Sequence, residues 1–344
     1  MSRRFVIFTF TASLLALVIV ILGAYVRISD AGLSCPDWPG CYNQLTVPSS
    51  TDQIDQAHEL YPDRPVDTGK AWKEMIHRYC AGILAMLILG CAIGAWYNRR
   101  DSKQMVALPL LLLGVAGCQA ALGMWTVTLL VQPAIVTLHL LGGMTLLSLA
   151  WWITLRQGEA TQIIVRESSK YSHSFRIWAL AGLLLLILQL ALGGWTSTNY
   201  AGFSCNDFPT CQGQWWPTMN FDEAFTFWKP LGENYEGGKI TPESATAIHI
   251  VHRIIAIVTL ILLVALGIKA MKNSENPMLH KAGLALVVLA FTQVGLGIST
   301  AISGVSPILA VAHNGVAALL LLSVITFNHL LHPVKYPFRG DKGL

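Results

Sequence analysis

Charge is what this sequence has least of. Lys, Arg, Asp and Glu make up 12% of its 344 residues, against about 25% in an average soluble domain. An ordinary soluble globular fold is therefore excluded. No flavin, nicotinamide or iron–sulfur motif is present, so an electron donor of those kinds is not built into the chain. Nor is there a basic patch of the sort that grips nucleic acid. The net charge of +4 comes from basic residues gathered at the ends of apolar runs. The first apolar run is too long for a signal-peptide core, no small-residue cleavage site follows it, and no Arg-rich transit peptide precedes it. The SRRF start reads as a positively charged anchor rather than a twin-arginine export signal.

Apolar residues are plentiful, at 53%. They fall in eight blocks, at about 5–27, 72–97, 105–129, 133–156, 175–198, 245–270, 279–302 and 306–331, each near the length that crosses a bilayer. Lipid admits only helical bundles and closed barrels. These blocks are continuous rather than alternating, which selects helices. The expected fold is an all-α polytopic membrane protein with eight transmembrane helices. Basic residues cluster at Arg3/Arg4, Arg99/Arg100/Lys103, Arg156/Arg166/Lys170/Arg176, Lys269/Lys272/Lys281 and Lys335/Arg339/Lys342. All fall on one side of an eight-helix count. That side is expected to be cytoplasmic and to hold both termini. A bacterial cytoplasmic (inner) membrane is the simplest address. Two long loops, about 28–70 and 199–244, then face outward.

The chain repeats itself. ILGAYVRISDAGLSCPDWPGC (Ile21–Cys41) returns as ALGGWTSTNYAGFSCNDFPTC (Ala191–Cys211). IHRY at Ile76–Tyr79 answers VHRI at Val251–Ile254, and QAALGMWT from Gln119 answers QVGLGIST from Gln293. Pro133 and His139 answer Pro307 and His313. The expected architecture is two repeated four-helix bundles, residues 1–160 and 161–344. Each has an even number of spans, so they are related by a parallel pseudo-twofold axis along the membrane normal.

Seven cysteines are present. Cys35/Cys41 and Cys205/Cys211 lie in the two outer loops, each pair enclosing five residues that include a proline. A disulfide-closed loop suits an oxidising compartment, and a redox-active pair is the variant of that reading. CxxxxxC is not a zinc spacing, and no His stands close by. Cys80, Cys91 and Cys118 fall inside spans and read as small buried hydrophobes.

Nine of the ten histidines divide into two sets, with His249 apart. His58, His173, His280, His329 and His332 lie in loops or near cytoplasmic helix ends and read as solvated or headgroup-level residues. His77, His139, His252 and His313 occupy repeat-equivalent positions in spans two, four, six and eight, several residues in from the outer surface. Ionisable groups at that depth are expensive and are usually functional. Zinc takes three or four protein ligands, whereas two imidazoles from facing helices suit the axial positions of a haem iron. Gly82, Gly142/Gly143 and Gly315 read as the small residues that make room for a macrocycle. Arg78 and Arg253, directly after the span-two and span-six ligands, read either as partners for haem propionates or as snorkelling cations.

The halves differ at one informative position. Glu74 lies three residues before His77, on the same helical face, and its counterpart is His249. One site thus has a carboxylate that can serve as a general base or stabilise developing positive charge. His249 reads as a group outside the ligand set, since His252 keeps the HR match.

Together these residues resemble the haem A synthase family. The elements are eight spans in two repeats, GLSCPDWPGC at Gly32–Cys41, EMIHR at Glu74–Arg78, HLLGG at His139–Gly143, His252/Arg253, and His313. The resemblance implies an oxidoreductase that converts haem O to haem A for cytochrome oxidase. It would oxidise a ring methyl group to a formyl group through successive hydroxylations. It implies that the N-terminal half, with Glu74, His77, His139 and Arg78, binds haem O as substrate. The C-terminal half, with His252, His313 and Arg253, would hold one haem b cofactor. It places Cys35 and Cys41 on the substrate side, and it implies haem O synthase as a partner, with the electron donor unidentified and a homo-oligomer open. Two rival readings remain. A di-haem b electron carrier would usually place its haems on opposite membrane sides and leaves Glu74 unexplained. A non-enzymatic haem-handling assembly protein would make no new pigment. A transporter rests on the repeats alone.

Overall fold

The computed structural model describes residues 2–101, 104–160, 171–273 and 276–331. Lys103, Arg166, Lys170, Lys335, Arg339, Lys342 and His332 lie outside the described residues. Among those described, the structure is all-helical. The helices are α1 (Ser2–Ile28), α2 (Thr51–Leu60), α3 (Thr68–Tyr97), α4 (Ala107–Thr128), α5 (Pro133–Ala160), α6 (His173–Thr198), α7 (Phe221–Ala224), α8 (Pro242–Asn273), α9 (Pro277–Ile302) and α10 (Pro307–Leu331). Eight of them are long and apolar enough to cross a membrane. This is a multi-pass membrane protein.

Several helices run past their apolar blocks. α3 starts at Thr68 and α8 at Pro242, in polar sequence. Capping sets these starts rather than hydrophobicity. The Asp67 side chain accepts from Lys70 N at 2.9 Å, Ser172 caps α6 and Asn276 caps α9. Pro133, Pro242 and Pro307 each open a helix at the position where a missing N–H costs nothing. The first long loop also contains a helix the apolar pattern does not announce. α2 is polar and is held by a reciprocal capping box between Ser50 and Gln53.

α1 packs on α3 and α5, and α4 packs on the same two helices. In the second half α6 packs on α8 and α10, and α9 on those two. Contacts of α1 with α10, and of α5 with α6 and α10, join the two sets around a shared core that includes Leu147, Ile153, Leu263, Leu286 and Phe327. Trp151 Nε1 donates to Thr326 Oγ1 at 2.9 Å across this seam. Near the long loops the seam carries a polar clasp. Arg27 donates to the Ser197 carbonyl at 2.7 Å and lies 4.2 Å from the centre of the Tyr200 ring, while Tyr200 Oη donates to Asp30 at 2.6 Å.

Two expectations need correction. His329 is buried, not solvated, because the end of α10 lies against α5 and its Nε2 sits 2.9 Å from Glu159 Oε1. Cys118 is exposed on α4 rather than buried, whereas Cys91 is buried and Cys80 is intermediate. A thiol on the outer face of an apolar span meets lipid, which tolerates it as readily as a core does.

α8 and α9 cross most tightly at two glycines. A Cβ on Gly267 would lie 2.6 Å from the Gly283 carbonyl oxygen, and one on Gly283 would lie 2.7 Å from that of Gly267. Such small-residue contacts replace the hydrophobic drive that lipid removes. Gly283→Leu should therefore force the helices apart, at a cost of roughly 1–3 kcal/mol. It should lower the melting temperature in detergent, whereas Gly82→Ala, whose Cβ would meet nothing within 4 Å, should leave it unchanged.

Candidate functional site

His77, His139, His252 and His313 stand on α3, α5, α8 and α10, four spans that all begin on the membrane face bearing the long loops. At 1.5 Å per residue they lie roughly 9–15 Å along their helices from those starts. All four are half-buried. His77 and His139 are close enough to interact electrostatically, as are His252 and His313. Among the described residues, no group of three or more His, Cys, Asp or Glu side chains is placed to hold a metal ion. The donor set is two imidazoles per half.

Each imidazole lies against a glycine on a neighbouring helix. A Cβ on Gly23 would stand 3.1 Å from His77 Cε1, on Gly123 3.2 Å from that of His139, on Gly193 3.2 Å from that of His252, and on Gly297 2.9 Å from that of His313. These are the repeat-equivalent glycines of α1, α4, α6 and α9. They make room for the imidazole rings themselves, whereas Gly82, Gly142/Gly143 and Gly315 have other surroundings. Gly82 faces open space, Gly142 and Gly143 lie over Gln119, and Gly315 lies against Ile21.

Glutamines brace the rings unequally. Gln189 Nε2 lies 3.0 Å from His252 Nδ1 and donates to the His252 carbonyl at 3.2 Å. Gln293 Nε2 lies 3.2 Å from His313 Nε2, and His313 Nδ1 lies 3.1 Å from the Gln293 carbonyl. In the first half Gln119 reaches only the His139 carbonyl, at 2.8 Å, and the counterpart of Gln189 is Ile19. Nδ1 of His77 and of His139 is buried without a hydrogen-bond partner among the described residues. Sequence reading assigned these glutamines no role, although Gln119 and Gln293 open a repeated motif.

Above His77 stands a second constellation. Cys35 and Cys41 are joined, as are Cys205 and Cys211, so both expected pairs form. Each closes a hairpin with reciprocal backbone bonds, Cys41 with Gln44 and Cys211 with Gln214. An aspartate braces each turn. Asp37 accepts from Tyr42 N at 2.6 Å and Asn43 N at 2.8 Å, Asp207 from Gln212 N at 2.8 Å and Gly213 N at 2.9 Å. The four donating residues have left-handed backbones, which the glycine and asparagine tolerate best. The Thr210 hydroxyl and these amides hold the Asp207 carboxyl below its ordinary range.

Glu74 is buried, and its Oε2 accepts from Cys35 N at 3.0 Å. Its other oxygen pairs with Arg78, whose guanidinium also donates to the carbonyls of Asp37 at 2.9 Å, Pro39 at 3.3 Å, and Gly40. Arg78 thereby fastens the disulfide hairpin to α3 and to the carboxylate at once. Arg253 does the same without a carboxylate, donating to the carbonyls of Thr210 at 2.9 Å and Cys205 at 3.0 Å. Where Glu74 stands in the first half, His249 is buried with Nδ1 3.4 Å from Ser204 Oγ.

Fold and site define a class: a multi-pass membrane protein presenting two half-buried imidazole pairs near one membrane face. Within that class the assignment is specific. Residues 6–325 match the COX15-CtaA model, described as cytochrome oxidase assembly protein, and the chain belongs to that family. It is similar to the "Heme A synthase" of Shewanella oneidensis, 40% identical over 92% of this chain and 93% of that protein. It is also similar to those of Caulobacter vibrioides, 27% identical over 95% of each chain, and of Caulobacter sp. strain K31, 26% identical over 95% of each.

Hydrogen bonds to charged groups contribute about 1.5–3 kcal/mol each, so losing the guanidinium should loosen its hairpin. Arg78→Gln should speed reduction of Cys35–Cys41 by tenfold or more while leaving Cys205–Cys211 unchanged. Arg253→Gln should do the reverse. Thiol-alkylation gel shifts followed over time in mild reductant read both bonds.

Proposed function

We propose that this chain is a haem A synthase that oxidises a ring methyl group of haem O to a formyl group. The family and the relatives named above support that reading. So does one observation in particular: a buried carboxylate, Glu74, one helical turn from His77 and present beside only one imidazole pair. An electron carrier with two equivalent haems has no use for that inequality.

In this reading residues 1–160 and 161–344 are two repeated four-helix bundles about a parallel pseudo-twofold axis. The matched packing of α1, α3, α4 and α5 with that of α6, α8, α9 and α10 supports it. His77 and His139 hold haem O, and His252 and His313 hold haem b. The residues fit a haem in both places. The imidazoles of each pair are close enough to interact electrostatically, glycines lie against the rings, and among the described residues no group of three or more His, Cys, Asp or Glu side chains is placed to hold a metal ion. The bracing fits the division of labour. Glutamines orient the C-terminal imidazoles, as suits a resident group. The unpartnered Nδ1 atoms of the first pair leave those rings less fixed, as suits a ligand that must enter and leave.

Haem b, when bound, would supply a redox centre that passes electrons. Two successive hydroxylations of the methyl group would give a geminal diol, which loses water to leave the formyl group. Glu74 is placed to take the hydroxyl proton as that water is lost. The Cys35 amide and the Arg78 guanidinium hold its oxygens in position. Arg78 and Arg253 serve chiefly as fasteners of the hairpins, and as cations beside the histidine pairs they would also favour a propionate. Both sites lie toward the outer face of a bacterial inner membrane, with the termini cytoplasmic.

Expression in a host that makes haem O but no haem A, followed by chromatography of the extracted pigments with mass detection, tests the proposal. Haem A beside haem b is expected. Haem b alone, despite available haem O, would mark an electron carrier. Glu74→Gln should fold, retain haem b and lower haem A formation by about 10²–10⁴-fold, accumulating haem O or a hydroxylated intermediate. His252→Ala should lose haem b, whereas His77→Ala should keep it and lose turnover. Wild-type haem A yield from His77→Ala would refute the site assignment.

A further inference from the structure

Helix α3 is longer than a bilayer is thick. Its 30 residues extend about 45 Å, against a hydrocarbon core of about 30 Å. Its charged residues, Lys70, Lys73, Glu74 and Arg78, all lie near its start, so the surplus length stands at the loop face. Trp96 and Tyr97 mark the far interface. Counting back about 20 residues from there puts Ile76 and His77 at the near boundary between hydrocarbon and headgroups, with Tyr79 less than one helical turn inside it. Tyr79 belongs to an exposed stripe with Ile76, Ile83 and Met86, spaced as one helix face, which is the face α3 turns to lipid.

Leu45, the residue that leaves the first disulfide hairpin and forms the exposed tip of the segment beyond it, hangs over that stripe. Tyr79 Oη donates to the Leu45 carbonyl at 2.7 Å, which fixes the depth of that tip. The Leu45 side chain is 84% exposed. The second hairpin presents Trp215 and Trp216, 76% and 68% exposed, at the repeat positions of Leu45 and Thr46. It is tied to α8 by Gln212 Nε2, which donates to Thr246 Oγ1 at 3.2 Å. Ile254, the counterpart of Tyr79, lies on a similar exposed stripe with Ile257, Val258 and Ile261.

We infer that both disulfide hairpins are membrane anchors, seated with Leu45 and Trp215/Trp216 in the headgroup–acyl boundary of the leaflet on the loop face. The occupant of these exposed residues is phospholipid. Three observations carry this: the depth set by Tyr79, the contact of the Leu45 segment with a lipid-facing helix stripe, and tryptophan, the residue that favours that boundary, at the matching positions after the second hairpin. The inference is independent of the reaction catalysed.

The test places the full chain in lipid nanodiscs of phosphatidylcholine brominated near the headgroup. Tryptophan emission of wild type minus that of Trp215→Phe/Trp216→Phe isolates the two residues. Their difference emission should lose most of its intensity to the brominated lipid and little to aqueous iodide. Leu45→Trp should add emission with the same behaviour. Quenching by iodide but not by bromine would place the hairpins in water and overturn the inference. Protection from both would mean that protein, such as a second copy of the chain, covers the tips, and would overturn it equally.

Discussion

Everything at the centre of this molecule depends on how closely a helix backbone can approach an imidazole. Gly23, Gly123, Gly193 and Gly297 each bring one span to van der Waals contact with a ring on the next. Any larger residue would push the ring or the helix aside, because packed helices have little room to give. The glycines therefore set both the spacing of the helix pairs and the direction in which each histidine faces. Once the rings are so placed, the glutamines can reach them. α3 and α8 then carry Glu74 and His249 one turn nearer the loops, beneath the hairpins.

Much of this was legible in the sequence. Long apolar runs give spans, since lipid leaves the backbone no alternative to internal hydrogen bonding. The repeat marks matched histidines and cysteines because identical chemistry at one spacing leaves identical letters. The cysteine pairs and the eight spans were read in this way. The helix starts at Thr68 and Pro242, and helix α2, were not, because they depend on caps and not on apolar periodicity. Nor were the glycines that touch the histidine rings. Gly142 is a neighbour of His139 in the chain, but Gly123 is its neighbour in space, and only packing of α4 on α5 reveals it. The His329–Glu159 pair escaped for the same reason, since its partners come from helices far apart in sequence.

The two histidine pairs differ in their bracing. In the second, Gln189 and Gln293 contact both imidazoles, and Arg253 ties only backbone. In the first, Ile19 replaces the glutamine and Arg78 divides its bonds between the hairpin and a carboxylate. The differences are few and lie within a turn or two of the histidines. A small number of side-chain exchanges is enough to give two similar settings different hydrogen bonding and a different local charge.

The clasp bears on what could sit at this seam. Asp30 and Tyr200 occupy matching positions of the sequence repeat. In a dimer of identical subunits, residues so placed would meet copies of themselves, aspartate against aspartate, and like charges there would repel. In this single chain the two positions differ, and a phenol donates to a carboxylate instead. The arginine–ring contact joins positions that do not match, so it makes no such demand.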